Sequence, residues 1–223
     1  MNRAFRIKCN MLILGNLKIL IESRIGLMKN IFLASSFSDV YLDFKNSIKE
    51  SLSGKTVTFI PTASNPEEIT FYVDNDRLAF EKLGIKVEVL NIDKESYETI
   101  ENTLNKNDYI FISGGNTFYL LQELKRSKAD EIIKKLINQG KLYIGSSAGA
   151  IVLGPELNYI KSLDDCSKAP NLVDTKGIGI INISILPHFG DEPFSTVTKD
   201  IFVNFHQKLV LVPLTNKQFI YIN

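Results

Sequence analysis

The chain has little of what several function classes require. It holds only two cysteines, Cys9 and Cys166, far apart and in no metal-ligand or Cys-x-x-Cys spacing. That argues against a disulfide framework and fits a reducing compartment. It holds only two histidines, His188 and His206, so a histidine-rich metal site cannot be assembled and any histidine-dependent catalysis has two candidates. Charge of one sign is also missing: 26 basic against 25 acidic residues leave +1, no field broad enough to hold nucleic acid or an anionic membrane. No apolar run approaches the roughly 20 residues of a membrane helix. The expectation is a cytoplasmic protein with small-molecule partners and no metal or organic cofactor.

A length of 223 residues with 44% apolar and 23% charged side chains fits one well-buried domain. The first 27 residues differ from the rest: Arg3, Arg6 and Lys8 precede a short apolar stretch from Met11 to Leu14, too short for a secretory signal. Residues 1–27 therefore read as a poorly ordered or mis-annotated extension, with a transit peptide or amphipathic anchor as the alternative, and residues 28–223 as a single domain starting at Met28.

From there strands and helices alternate. Strands are expected over Ile31 to Ala34, Thr56 to Ile60, Lys86 to Leu90, Tyr109 to Ser113, Leu142 to Ile144 and Ile178 to Leu186. Helices are expected over Tyr41 to Leu52, Ile69 to Leu83, Glu95 to Leu104, Thr117 to Leu124, Asp130 to Asn138 and Phe194 to Phe205. Leu209 to Val212 and Phe219 to Ile222 read as a closing pair of strands. Strands alternating with helices of this length require crossover connections, hence a doubly wound, mostly parallel α/β sheet with helices on both faces. Ligands of such sheets bind beyond the carboxyl ends of the strands.

Three segments at those ends carry chemistry. Gly145-Ser146-Ser147-Ala148-Gly149 has the Gly-x-Ser-x-Gly form between an expected strand and helix; such a turn lifts the central serine above the sheet and aims the Ala148 amide at an oxyanion. Gly114-Gly115-Asn116, after another strand, offers further amides, with Gly115 as second oxyanion donor and Asn116 also suited to cap the next helix. His188, after the strand ending at Leu186, is placed to take the proton of Ser147. His206 falls late on an amphipathic helix and reads as a surface residue.

Taken together, Gly-Gly-Asn-Thr-Phe at 114–118, Gly-Ser-Ser-Ala-Gly-Ala at 145–150, Pro187-His188-Phe189 and the opening stretch from Met28 to Phe37 resemble the peptidase E family of serine-type aspartyl dipeptidases, peptidase family S51. The resemblance covers about Met28 to the end. It implies a class I glutamine amidotransferase-like fold, a flavodoxin-like three-layer sandwich. It also implies Ser147 as nucleophile, His188 as base, Gly115 and Ala148 as oxyanion donors, and Gly114 and Asn116 beside a small peptide substrate. A homodimer is left open. The third catalytic group departs from the family. Pro213 to Gln218 has no acid where a glutamate is expected, which leaves Asn216 there, with Asp164 or Asp165 after the elbow helix as alternatives. Where the family's dipeptidases carry arginines after the histidine, Asp191 to Phe205 offers only Lys199 as a substrate-binding cation, so no strong preference for an N-terminal aspartate is expected. The chain also stops near its last strand, where relatives often continue, a reading that allows a slight truncation. The expectation is a dipeptidase or exopeptidase acting through an acyl-enzyme. The rivals are an esterase or cyanophycinase-like hydrolase on the same fold, and a catalytically weak relative that binds a small ligand.

Overall fold

A computed structural model of the chain describes residues 7–9 and 30–223. Among these residues seven strands form the main sheet: β1 (Ile7–Cys9), β2 (Ile31–Ala34), β3 (Thr56–Ile60), β4 (Lys86–Val89), β5 (Tyr109–Ile112), β6 (Leu142–Ser146) and β9 (Phe219–Ile222), in the order β1-β9-β2-β6-β5-β3-β4. β2 runs parallel to β6, β6 to β5, β5 to β3 and β3 to β4, while β9 is antiparallel to both β2 and β1. The central strands β2, β5 and β6 are buried along their whole length. That is why they read as unbroken apolar runs rather than alternating ones: helices cover both faces of a parallel sheet.

One face carries α1 (Phe37–Ser47) and α2 (Phe71–Lys82), the other α3 (Tyr97–Lys106), α4 (Thr117–Ser127) and α5 (Ala129–Asn138). Beneath α1 and α2 lies an aromatic core: Phe37 stacks on Phe80 with centroids 4.3 Å apart, and Phe32 meets Phe44 edge-on at 5.1 Å. Such pairs add about 0.5–1.5 kcal/mol each beyond area burial. The opposite core is aliphatic, with Ile100, Leu104, Ile133 and Ile137 inward. These three layers are those of the class I glutamine amidotransferase-like fold.

Two expectations give way. Residues 209–212 and 219–222 do not pair with each other. Instead β8 (Leu211–Pro213) pairs in parallel with β7 (Ser184–Leu186) in a separate two-stranded sheet, and the wholly buried β9 slots against β2. The strand expected over residues 178–186 is strand only in its last three residues. Its first half follows the segment after the elbow, with the Ile178 amide donating to the Val152 carbonyl and that of Ile180 to Leu153. Gly177 permits this approach, since a Cβ there would lie 2.1 Å from the Gly154 carbonyl oxygen. The apolar run is thus real, but loop carbonyls rather than a ladder satisfy its backbone. Of the expected N-terminal extension, Ile7–Cys9 form the edge strand; the rest, and the start at Met28, lie outside the described residues.

Candidate active site

Four strands of the main sheet and the small β7–β8 sheet end around one cleft of about 750 Å³, sized for a small ligand. Ser147 follows β6 with φ 48 and ψ −107, a conformation that costs a non-glycine residue of order 1–3 kcal/mol and is typically kept at functional sites. The helix α6 it opens spans only Ala148–Ile151. Small residues make the turn possible: a Cβ on Gly145 would lie 2.5 Å from the Gly149 carbonyl oxygen, and one on Gly149 would lie 2.2 Å from that of Ile112. The Ser147 amide donates to the Ala34 carbonyl at 3.0 Å, tying the elbow to β2.

His188 and Asn216 arrive together because the loops after β7 and β8 zip up: the Leu214 amide donates to the Leu186 carbonyl and the Phe189 amide to that of Leu214, both at 2.9 Å. Ser147 Oγ then lies 2.9 Å from His188 Nε2, and His188 Nδ1 lies 2.6 Å from Asn216 Oδ1. With Nδ1 donating to Oδ1, Nε2 is left as acceptor for the serine proton. Ser35, at the end of β2, braces the pair: its hydroxyl accepts from the His188 amide at 2.8 Å and donates to Asn216 Oδ1 at 3.1 Å. The Asn216 amide in turn donates to Asp191 Oδ2 at 2.6 Å. The ring also packs against Phe194, centroids 4.9 Å apart. Burial lowers the His188 pKa, while Asn216, Asp191 and Asp39 raise it; the net direction is down, so the ring is neutral near pH 7.

At the end of β5, Gly115 has φ 131, and a Cβ there would stand 2.3 Å from the Ala63 carbonyl atoms; only glycine fits. Ala148 is the first residue of α6 and its amide has no intrahelical acceptor. Gly114 packs directly on Ser147, close enough that a Cβ on the glycine would lie 3.4 Å from the serine Cβ.

The remaining sequence candidates are placed otherwise. Asn116 lines the cleft, but its groups are engaged: its amide donates to Ala63, its Nδ2 to the Asp165 carbonyl, and its Oδ1 caps α4 through the Tyr119 amide. It shapes the turn rather than offering a free group to substrate. Asp165 does not reach the imidazole; its exposed carboxylate caps the Ser167 amide at 2.9 Å. Asp164 faces the cleft and accepts from the Thr117 amide at 2.8 Å; burial pushes its carboxyl up to about 6. Lys199 is exposed on α7 (Ser195–Phe205) and is not part of the cleft lining. His206 caps the end of that helix, stacked on Phe202. Sequence reasoning does not single out Ser35, Asp191 or Tyr72. For Ser35 the available signal is its position directly after the strand beside the elbow strand.

Residues 31–223 match the family model of peptidase family S51. The chain belongs to this family. It is similar to an uncharacterized peptidase of Listeria monocytogenes, 47% identical over 195 residues, or 87% of this chain and 95% of the relative. The peptidase E of Haemophilus influenzae is 31% identical over 137 residues, 58% of this chain and 61% of that protein. A crystal structure of a Listeria monocytogenes protein placed in the peptidase E group superposes with a TM-score of 0.83 at 46% identity, covering 87% of this chain and 94% of that one. This S51 member is a peptidase. Among its described residues no group of three His, Cys, Asp or Glu could hold a metal ion, and no helix is long and apolar enough to cross a membrane.

Proposed function

We propose that the chain is a serine-type exopeptidase, dipeptidase-like in substrate size, that cleaves a peptide bond through an acyl-enzyme on Ser147. The observation that carries this reading is the 2.9 Å contact between Ser147 Oγ and the free lone pair of His188 Nε2. His188 takes the serine proton as Oγ attacks the scissile carbonyl carbon, and the oxyanion forms against the amides of Gly115 and Ala148. The imidazolium then gives that proton to the leaving amine as the C–N bond breaks. Water repeats the sequence: His188 takes its proton, the hydroxide oxygen attacks the ester, and Ser147 leaves with the proton returned to it. Asn216 keeps Nδ1–H oriented throughout. No step calls for a cofactor.

A fluorophosphonate probe tests this. Labelling mapped to Ser147 and lost in His188→Ala is expected, and absence of labelling in the wild-type chain sinks the reading. That second outcome favours a small-ligand binder, the reading suggested by an uncharged Asn216 at the position of the orienting acid, because an amide cannot neutralise the imidazolium.

A further inference from the structure

We infer that the cleft beside Ser147 selects a substrate with a cationic side chain next to the scissile bond, a lysyl or arginyl residue, and disfavours an aspartyl one. This rests on Ser147 being the nucleophile, and concerns what sits next to it. Among the described residues six carboxyl groups line the cleft: Asp39, Glu67, Asp76, Asp164, Asp165 and Glu192. Among the described lining residues Lys168 is the one lysine or arginine, and it is already tied to Glu67 at 3.1 Å and to the Pro66 carbonyl at 3.0 Å. An aspartyl side chain would enter a like-charged cleft with no arginine to meet it, whereas bidentate arginine contact is what carboxylate recognition favours.

The acids are not scattered at random around the rim. Tyr72 stands beside the nucleophile, since a Cβ on Gly114 would be 3.4 Å from the Ser147 Cβ and 3.7 Å from the Tyr72 ring. Burial first, and then the charges of Glu67, Asp164 and Asp76, push the Tyr72 phenol up to about 12. Glu67, Asp76 and Asp164 line the same cleft as Ser147 from three separate segments of the chain. Asp76 is 2% exposed, accepts from the Ser38 amide at 2.9 Å and is pushed by burial up to about 7, so Glu67 and Asp164 are the acids of this group that a seated ammonium or guanidinium would meet.

An independent feature of the same cleft is its apolar lip, Ile69 and Phe71, each 67% exposed. Lysine and arginine stems cover such surface while their heads reach polar partners, and the faces of Phe71 and Tyr72 add attraction for a cation. A lip of this kind in front of an acidic wall matches a long aliphatic chain ending in a positive charge.

The test uses the full-length chain with Ser147→Ala, in which substrate binds without turnover. Lysyl-glycine, norleucyl-glycine and aspartyl-glycine are titrated by calorimetry, and kcat/KM is measured for the same dipeptides on the wild type. Lysyl-glycine is expected to bind about tenfold tighter than its uncharged analogue, the scale of one partly screened charge contact, with aspartyl-glycine weakest and kcat/KM in the same order. Glu67→Gln and Asp164→Asn are each expected to shrink the lysyl advantage. Should either variant fold poorly, the wild-type advantage itself is expected to fall as ionic strength rises from about 0.01 M to about 1 M, where screening shortens from about 30 Å to about 3 Å. Equal or tighter binding of the norleucyl or aspartyl ligand, or no lysyl binding at all, overturns the inference. Hydrolysis with an aspartyl preference overturns it while leaving the serine peptidase reading intact. Lysyl-selective binding without any hydrolysis does the reverse.

Discussion

Replacing Asn216 by alanine removes the acceptor 2.6 Å from His188 Nδ1, and the size of the loss follows from when that bond matters. With substrate bound the ring is neutral, and the bond is worth about 1 kcal/mol; once the ring has taken the serine proton, a hydrogen bond to the charged form is worth about 1.5–3 kcal/mol. Only the difference, about 0.5–2 kcal/mol, enters kcat/KM, and at 1.36 kcal/mol per decade it corresponds to a loss of roughly 2- to 30-fold. Ser35 sets where in that range the variant falls. Its hydroxyl already lies 3.3 Å from Nδ1, and without Asn216 Oδ1 it can turn its lone pair to the ring. Asn216→Ala alone should therefore lose about threefold, and Ser35→Ala combined with Asn216→Ala about thirtyfold. Asn216→Asp works in the opposite direction. A carboxylate about 4 Å from the ring centre attracts the imidazolium by about 4 kcal/mol before desolvation and Asp191 repulsion are subtracted. The acid limb of its kcat/KM profile should move to higher pH and its rate on the plateau should rise. The assay is kcat/KM for a dipeptide across about pH 5 to 9. An Asn216→Ala profile superimposable on the wild type, or an Asn216→Asp acid limb that stays in place, refutes the role assigned to this residue.

Because burial lowers the His188 pKa, the wild-type acid limb of kcat/KM should lie below the ordinary histidine value of about 6.5; a limb above it contradicts the neutral buried base. The folded ring binds its proton more weakly than the unfolded one, so its contribution to stability is present above the unfolded value and is lost as pH falls. Asp76 runs the other way: burial pushes it from 3.8 to about 7, so its contribution is present below the unfolded value and about 4 kcal/mol is lost as pH rises through that interval. Asp76→Asn keeps an acceptor for the Ser38 amide, and its melting temperature should fall less than the wild type's between about pH 4 and pH 8; parallel melting profiles by calorimetry would disprove the buried charge penalty. Gly115→Ala places a methyl 2.3 Å from the Ala63 backbone at φ 131. It should cost about 3 kcal/mol or more in denaturant unfolding, from overpacking and backbone strain together, and most of the activity; a normally stable, active variant would show that the loop is not held as described.

Legibility in the sequence follows how local each determinant is. Strands β2, β3, β5 and β6 can be read because parallel strands buried on both faces are continuous apolar runs bounded by glycine, proline or polar turns, and the adjoining helices because their apolar positions recur at helical spacing. The approach of residues 147 and 188 can be read because each directly follows a strand and such strand ends share one edge of the sheet. Pairing across the chain cannot. Nothing in residues 209–212 says that they will lie beside β7 rather than β9, since an apolar strand fits either partner. Asp165 is a reasonable candidate acid by type and position, but a local bond to the Ser167 amide competes for it, as short acidic side chains in loops commonly do. Lys199 is singled out by its segment alone, and the face of α7 it occupies turns it away from the cleft lining.

The position of Asp191 suggests how an amide can stand where a catalytic triad usually places a carboxylate. Asp191 does not touch the imidazole; it accepts from the Asn216 backbone amide at 2.6 Å and still raises the ring's proton affinity through space. Under the proposed mechanism, orientation and charge compensation, which one carboxylate usually supplies together, are divided: Asn216 and Ser35 fix the tautomer, and Asp191 lends a weaker, more distant charge. Such a division leaves burial dominant over the attractive charges, so the His188 pKa lies below its ordinary value. It keeps the base unprotonated at lower pH than a directly paired histidine would allow, while giving less stabilisation once the ring is charged. Removing Asp191 as Asp191→Asn should therefore lower the acid limb further while leaving the ring in place, an outcome opposite in sign to Asn216→Asp; an unchanged limb would show that Asp191 lends the ring no charge.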